Sequence, residues 1–405
     1  MQLQFLTLSH ANRLGLIFRT AVLLLPAVTV LVVQTNRVQA QIVISGNENK
    51  LDIRSGEWVP QFDAEPDSLT IIDCAKFPPA VQHVTGVANS VIGPPSNVAI
   101  TPDGKVALVA NSLKLDRDSP GGYVPDTLVQ VVDLTRQPPQ LVGTAETGKQ
   151  PSGISISPDG RLALVANRAD GTITVLSIDG TDVKPVQTVK VAEPAGEVSD
   201  VAISPDGKIA LASVTEAYYL RLLEIHDGKV TATDRKLSVY GKPYRTVITP
   251  DGELGLTTGS GQGAPDADAL TVVDLTADPI RTIDFVAIGS GPESFGISPD
   301  GNLIAAMVMN NSNVGDDDPT RTESGLLMIL ARRGKTYETV QQVPVGRIVQ
   351  GAAFTADGKF LLIECYGDRQ IWVFRVNGET VQDTGHRIHT PGFPSSIRAA
   401  GKPAG

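Results

Sequence analysis

The sequence is 405 residues long and carries 44 acidic against 34 basic side chains, a formal net charge of −10. So acidic a chain is unsuited to binding nucleic acid or an anionic membrane surface through its overall charge. No stretch shows the periodicity of an amphipathic helix, so the pattern of apolar residues favours an all-β protein.

Residues 1–40 have the features of an export signal. Basic residues precede an apolar run from Ala21 to Val33, and Val38-Gln39-Ala40 is a small-residue cleavage motif. We predict cleavage after this motif, export to the periplasm or beyond, and a single domain over residues 41–405 that does not engage the membrane. An uncleaved anchor is the alternative, although the apolar run is short for a transmembrane helix of about 20 residues. Cleavage removes three arginines and no acidic residue, so the mature chain is more acidic still.

A repeated unit organises the rest of the chain. Its clearest copy is Pro151-Ser-Gly-Ile-Ser-Ile-Ser-Pro-Asp-Gly160, in which apolar residues alternate and then stop. A proline, an aspartate that can bond its own backbone and a glycine at the exit predict a hairpin turn. Arg161–Asn167, Thr172–Ile178 and Val186–Val191 are then the next three strands of an antiparallel meander, the shape of one propeller blade.

The copies can be counted in two ways. The Asp-Gly turn recurs at intervals of 45 to 57 residues, which fit propeller blades with some longer loops; the aspartates are Asp103, Asp159, Asp206, Asp251, Asp300 and Asp357. Seven candidate third strands accompany these six turns, and they begin at Leu69, Leu128, Thr172, Tyr219, Leu270, Leu326 and Ile371.

The chain ends supply the missing parts. Pro394–Ala400 repeats the first strand without its turn, and Lys50–Ile53 resembles a second strand without its first. We predict a seven-bladed β-propeller of four-stranded blades, in which the C-terminal strand joins the N-terminal strands and leaves no open sheet edge. A six-bladed ring with a free N-terminal arm is the alternative.

The residues that enter each first strand are candidates for a binding site. If the Asp-Gly turns lie on one face of the ring, the strand entries and the second-to-third-strand loops lie on the other, around the mouth of the channel. The entry pairs are Ser96 and Asn97, Ser152 and Gly153, Ser199 and Asp200, Tyr244 and Arg245, Glu293 and Ser294, Gln350 and Gly351, and Ser395 and Ser396.

Five entry residues are larger or charged and fall in four consecutive blades: Asp200, Tyr244, Arg245, Glu293 and Gln350. This cluster has two interpretations. It could bind an anionic or hydroxylated ligand through Arg245, with Glu293 or Asp200 as a base. Alternatively, its acidic members neutralise Arg245 in an ion-paired plug.

Three loops on this face are long: Lys114–Thr127, Ser260–Ala269 and Asn310–Gly325. The last contains Gly315-Asp-Asp-Asp-Pro-Thr320, which is either a calcium-binding segment or a solvated acidic loop. It lacks the spacing and the glycine of an EF-hand. We therefore predict no metal and no cofactor.

The sequence gives little indication of a catalytic or metal-binding role for its cysteines and histidines. Cys74 and Cys365 end strands of neighbouring blades and form either a disulfide or two buried thiols. None of the histidines after the signal is expected to line the channel: His83, His386 and His389 lie in or near outer strands, and His226 in a turn on the opposite face. The metalloprotease, nucleophile-elbow, phosphate-loop and haem motifs are absent from the sequence.

The unit PSGISISPDGRLALVANRADGTITVLSI resembles the YVTN β-propeller repeat over roughly residues 90–400. Seven-bladed lactonases of the 6-phosphogluconolactonase type have a similar architecture, and this resemblance implies a sugar-lactone hydrolase. Those enzymes tend to carry a His-Pro-His entry and a Pro-Asp-Leu-Gly segment after the second strand. The matching positions here are Gln150-Pro-Ser-Gly153 and Val165-Ala-Asn-Arg168, so both signatures are missing. The large subunits of periplasmic amine dehydrogenases are a second similar group, which implies a cofactor-bearing partner.

Three functions therefore stay open. The main hypothesis is an exported, monomeric propeller that binds an unknown protein or a small polar ligand without catalysis. The second is a lactonase-like hydrolase in which Arg245 stabilises an oxyanion and Glu293 or Asp200 activates water. The third is a non-catalytic subunit of a periplasmic oxidoreductase.

Overall fold

The computed structural model describes residues 41–261 and 266–401, which form seven four-stranded antiparallel sheets and one small hairpin. The predicted all-β, seven-bladed propeller is confirmed. The predicted signal peptide lies outside the described residues. Among those residues, no helix has the length and apolar character needed to cross a membrane.

Blade 1 contains both ends of the described chain, and blades 2 to 7 follow in sequence order. With the innermost strand first, the strands are Phe393–Ala399, Ile42–Glu48, Ser68–Asp73 and Ala80–Thr85 in blade 1; Val98–Ile100, Val106–Leu115, Tyr123–Asp133 and Gln140–Glu146 in blade 2; Pro151–Ile156, Leu162–Asn167, Thr172–Asp179 and Asp182–Lys190 in blade 3; Val198–Ile203, Ile209–Val214, Tyr219–His226 and Lys229–Ser238 in blade 4; Lys242–Ile248, Leu254–Ser260, Asp268–Asp274 and Arg281–Gly289 in blade 5; Pro292–Ile297, Leu303–Val308, Gly325–Arg333 and Thr336–Val345 in blade 6; and Val349–Phe354, Phe360–Cys365, Gln370–Asn377 and Thr380–His389 in blade 7. Three short 3₁₀ helices lie between strands, at Pro194–Gly196, Thr215–Ala217 and Tyr366–Asp368.

The ring closes as predicted, through the innermost strand of blade 1. Phe393–Ala399 pairs antiparallel with Ile42–Glu48, from Val43 opposite Ala399 to Glu48 opposite Phe393. Because the first and last parts of the chain share one sheet, neither is left as an open edge.

One detail of the closing blade differs from prediction. Its second strand is Ile42–Glu48 rather than Lys50–Ile53. Leu51–Asp52 instead pairs with Val59–Pro60 in a separate two-stranded hairpin. Ile42–Glu48 has hydrogen-bonded partners on both sides, so its place in the sheet is set by residues far away in sequence.

Each Asp-Gly turn is held by a shared set of hydrogen bonds. In blade 3, Ser157 Oγ donates to Asp159 Oδ1 at 2.5 Å and accepts from the amide of Leu162 at 2.9 Å. The bond from Ser157 lowers the pKa of Asp159 below its ordinary value. Gly160 has a φ of 71°, a left-handed conformation that a side chain would strain. The same hydroxyl-to-carboxylate bond recurs in the other five turns, between Thr101 and Asp103, Ser204 and Asp206, Thr249 and Asp251, Ser298 and Asp300, and Thr355 and Asp357.

Neighbouring blades pack through the apolar faces of their sheets. Between blades 3 and 4, Leu164 and Val175 share one buried cluster with Val201 and Leu223. Full burial of such a side chain contributes about 1.5–3 kcal/mol. This packing fixes the blades against each other and so fixes the loops that surround the channel.

Two other sequence predictions are resolved here. Only half of the segment Lys114–Thr127 is a loop, because two long strands continue into it and pair as far as Leu115 opposite Tyr123, which leaves residues 116–122 between them. Cys74 and Cys365 are free, buried thiols. Burial raises the pKa of Cys74 to about 12 and also raises the pKa of Cys365.

Candidate functional site at the channel mouth

The strand entries surround the channel on the face opposite the Asp-Gly turns, and the structure separates the five predicted site residues into three groups. Asp200 and Arg245 form a buried ion pair, Tyr244 and Glu293 belong to a half-buried cluster, and Gln350 is buried elsewhere in the ring.

Asp200 and Arg245 are bonded to each other below the mouth. Arg245 Nη1 donates to Asp200 Oδ2 at 2.7 Å, and the Thr246 amide donates to the same oxygen at 2.8 Å. Ser96 Oγ donates to Asp200 Oδ1 at 3.0 Å. Asp200 is completely buried and Arg245 is 6% exposed. The pair therefore has the geometry of an ion-paired plug, and Asp200 has partners on both oxygens.

The tight fit of this plug explains one small entry residue. A Cβ on Gly153 would lie 1.9 Å from Asp200 Oδ1 and 2.8 Å from its Cα. Glycine is therefore the only residue that leaves room for the carboxylate of the next blade.

A second cluster lies at the mouth itself and consists of Arg168, Glu197, Tyr244 and Glu293. Arg168 Nε donates to Glu197 Oε2 at 2.7 Å, and the guanidinium lies 5.9 Å from the centroid of the Tyr244 ring. The side chains of Arg168 and Glu197 are 18% and 35% exposed. All four residues are partly accessible and can be reached from solvent.

The ionisable side chains of this mouth cluster shift each other's pKa values. Burial raises the pKa of Glu293 to about 7, and the positive charge of Arg168 opposes that rise. Burial and the negative charge of Glu293 raise the pKa of Tyr244 well above its ordinary value. At neutral pH, Glu293 can therefore both accept and return a proton, while the Tyr244 hydroxyl stays protonated and can donate a hydrogen bond.

Sequence reasoning missed Arg168 and Glu197. Arg168 follows the second strand of blade 3, and Glu197 follows the 3₁₀ helix Pro194–Gly196 with a φ of 51°. Arg168 lies in a second-to-third-strand loop. Such loops are expected on this face, so the position of Arg168 could have marked it as a candidate site residue. Its partner Glu197 lies 29 residues further on, in the next blade, which no local pattern reveals.

Gln350 is not joined to the other four predicted residues by any hydrogen bond in the described part of the chain. It is 1% exposed, and its Oε1 has no partner within residues 41–261 and 266–401. Two other strand-entry residues also have a buried side-chain atom without a hydrogen-bond partner among the described residues: Asn97 Oδ1 and Ser152 Oγ.

Residues 41–261 and 266–401 contain no group of three or more acidic, histidine or cysteine side chains placed to hold an ion. In the acidic segment, Asp318 accepts from Thr320, and Asp316 pairs with Arg321. His83 and His386 lie in outer strands, as predicted, and neither lines the channel.

Comparison with known proteins agrees with the observed fold. The family described as "Lactonase, 7-bladed beta-propeller" matches residues 79–195, which is less than a third of the chain. The fold is that of the lactonase-type seven-bladed propellers. The predicted resemblance to lactonase-like propellers is thus confirmed, whereas the assignment to the YVTN repeat stays a prediction.

Several solved structures align with this chain over nearly their whole length. The periplasmic gluconolactonase of Pseudomonas aeruginosa is 20% identical, with a TM-score of 0.64 over 88% of this chain and 98% of that one. A Bacteroides uniformis protein, provisionally assigned as a 6-phosphogluconolactonase, is 17% identical with a TM-score of 0.65 over 88% and 98%. A Desulfotomaculum acetoxidans protein of unknown function is 16% identical with a TM-score of 0.64 over 89% and 99%. No curated protein gives a significant match.

The matched residues include Arg168 but neither Tyr244 nor Glu293. At these identities the likeness to solved structures shows the fold alone.

Proposed function

We propose that the protein is an exported hydrolase of sugar lactones and that the reaction takes place in the mouth cluster. The observation that carries this proposal is Glu293, a partly accessible carboxyl whose pKa is raised to about 7 beside the guanidinium of Arg168. The partial match to a lactonase family supports the same reaction class. This replaces the non-catalytic scaffold as our preferred hypothesis.

Glu293 is the proposed general base. Its carboxylate takes a proton from water while the water oxygen attacks the lactone carbonyl carbon. The carbonyl oxygen becomes an oxyanion, which the Arg168 guanidinium and the Tyr244 hydroxyl are placed to stabilise. The ring C–O bond then breaks, Glu293 returns its proton to the ring oxygen, and the product is an open hydroxy acid.

The oxyanion role passes from Arg245 to Arg168 in this mechanism. Arg245 is buried and hydrogen-bonded to Asp200, whereas Arg168 is partly exposed in the mouth. Glu197 holds Arg168 in place and neutralises part of its charge.

The charge of the mouth cluster also indicates which lactones are preferred. Its two carboxyl groups, Glu197 and Glu293, share one arginine, so an additional phosphate on the substrate would meet no unpaired cation there. We therefore expect neutral sugar lactones to be better substrates than phosphorylated ones. The likeness to the periplasmic gluconolactonase and the predicted signal peptide support an exported enzyme.

The test measures hydrolysis of a panel of neutral and phosphorylated sugar lactones by the purified protein, corrected for spontaneous hydrolysis. Loss of the base in Glu293→Gln should lower kcat/KM by about 10² to 10⁴, and Arg168→Gln by about 10² to 10³. Arg281→Gln, at an exposed outer-strand position of blade 5, is the matched control and should keep full activity.

Two results would overturn the proposal. The first is a folded wild-type protein that hydrolyses none of the lactones. The second is hydrolysis that survives in Glu293→Gln. Saturable binding of a lactone without turnover would return us to the binding-module hypothesis.

A further inference from the structure

The opposite end of the channel holds a separate cavity. It opens among the Asp-Gly turns, has a volume of about 660 Å³ and is lined by residues from all seven innermost strands. This volume lies within the range of small-molecule sites, roughly 300–1,000 Å³.

The wall of this cavity is mainly apolar, and equivalent positions of the repeated blades contribute its side chains. Three residues before each turn aspartate, six blades contribute a large apolar side chain to it: Ile100, Ile156, Ile203, Ile248, Ile297 and Phe354. Blade 1 has no such turn and contributes the small Ala399 instead. The ring of large side chains is therefore interrupted at one place.

Beside that interruption lies an arginine. At the repeat position of Arg398 the other six blades carry only small or apolar side chains, which are Ala99, Ser155, Ala202, Val247, Gly296 and Ala353. The Nε of Arg398 donates to the carbonyl of Val98 at 3.4 Å. Within the described ranges, no carboxylate approaches within 4.0 Å of its guanidinium. Burial and the positive charge of Arg245 lower the pKa of Arg398 to about 9, opposed by Asp200, so the group is still mostly protonated at pH 7.

The inner end of the cavity carries one excess positive charge. Arg245 lines it as well, but Arg245 is neutralised by Asp200, whose oxygens already accept from Ser96, Arg245 and Thr246. Among residues 41–261 and 266–401, this leaves the charge of Arg398 without a counter-ion of its own in a poorly solvated place, where an ion pair is stronger than in water.

The hydroxyl groups along the cavity are already hydrogen-bonded within the protein. Ser157 and Ser204 donate to their turn aspartates, Ser155 Oγ accepts from the amide of Ile203, and Thr246 Oγ1 donates to Thr257. A sugar would therefore find few polar partners here. A dianion such as a phosphate monoester would bring two charges to one unpaired cation.

We propose that this cavity binds a monocarboxylate with an apolar body, whose carboxylate pairs with Arg398 and whose apolar part packs on the isoleucine ring. A single negative charge balances Arg398, and the space beside Ala399 lets the ligand pass the ring to reach it. The site lies on the turn face, away from the mouth cluster, and does not depend on the proposed hydrolase function.

The experiment is isothermal titration calorimetry of the full mature chain with octanoate, and with 1-octanol as the uncharged analogue of equal chain length. The wild type should bind octanoate saturably and more tightly than 1-octanol. Arg398→Gln keeps a polar, though shorter, side chain and removes the charge, so it should weaken octanoate binding by about 10-fold or more and leave 1-octanol binding nearly unchanged. The exposed Arg281→Gln should bind like the wild type.

A second variant tests the cavity independently of the charge. Ala399→Ile fills the gap in the apolar ring and should weaken both ligands while Arg398 stays in place. Thermal unfolding of each variant shows whether it is folded. The proposal is overturned if the wild type does not bind octanoate, if octanoate and 1-octanol bind equally well, or if folded Arg398→Gln retains wild-type affinity for octanoate. Since the readout is binding, a failure here leaves the hydrolase proposal intact.

Discussion

The buried carboxyl of Glu364 should make the protein less stable at alkaline pH, and replacing it with glutamine should remove that loss. Glu364 is completely buried in the second strand of blade 7. Its Oε1 accepts from Ser45 Oγ at 2.6 Å and its Oε2 accepts from the Gly351 amide at 3.0 Å. Burial raises its pKa from 4.5 to about 8, although both hydrogen bonds work against the rise.

The sign and size of the effect follow from that pKa. The folded state holds a proton on Glu364 that the unfolded state releases near pH 4.5, so the free energy of unfolding falls as pH rises from about 4.5 to about 8. At about 1.4 kcal/mol for each pKa unit, the loss is on the order of 4 to 5 kcal/mol above pH 8. A glutamine can accept from Gly351 with its carbonyl oxygen and donate to Ser45 with its amide, so both contacts survive without a charge.

Urea unfolding of the wild type and Glu364→Gln at pH 5 and pH 9 measures this directly. The two proteins should be about equally stable at pH 5, and the variant should be more stable at pH 9 by several kcal/mol. Glu48 is also buried, and its pKa is raised to about 8, but it is present in both proteins and cancels in the difference. A stability difference that does not change with pH, or a variant that is less stable at pH 9, would refute the argument.

Three further predictions concern Glu293 in the mouth cluster, the buried ion pair of Asp200 with Arg245, and the two cysteine thiols. Because Glu293 must be ionised to act as a base and its pKa is about 7, kcat/KM for lactones should fall to about one tenth of its plateau at pH 6; a flat profile between pH 6 and 8 would contradict this role. Asp200→Asn leaves Arg245 buried without its counter-charge, so it should lower the free energy of unfolding by about 3 kcal/mol or more, whereas Asp182→Asn at an exposed pair should change it by less than about 0.5 kcal/mol. Cys74 and Cys365 should resist a thiol reagent in the native protein and both react after unfolding without reductant; rapid labelling of the folded protein would show that they are not buried.

The fold could be predicted from the sequence because each blade is specified by local contacts. The bonds that make a turn, such as Ser157 to Asp159 and Leu162 to Ser157, join residues at most five positions apart. Alternation on either side of the turn then defines the first two strands. The seventh third strand without a turn of its own, together with the repeat of the first strand at Pro394–Ala400, predicts closure by the C-terminal strand.

The start of the second strand of blade 1 and the grouping of polar side chains around the channel depend instead on contacts between residues far apart in the chain. Ile42–Glu48 is placed by pairing with Phe393–Ala399, at the far end of the chain. Arg168 of blade 3 bonds to Glu197 of the neighbouring blade 4, and Arg245 is held away from the mouth by its bond to Asp200. Such contacts depend on loop paths and on the packing angle between blades, to which many distant residues contribute, so no spacing within one repeat encodes them.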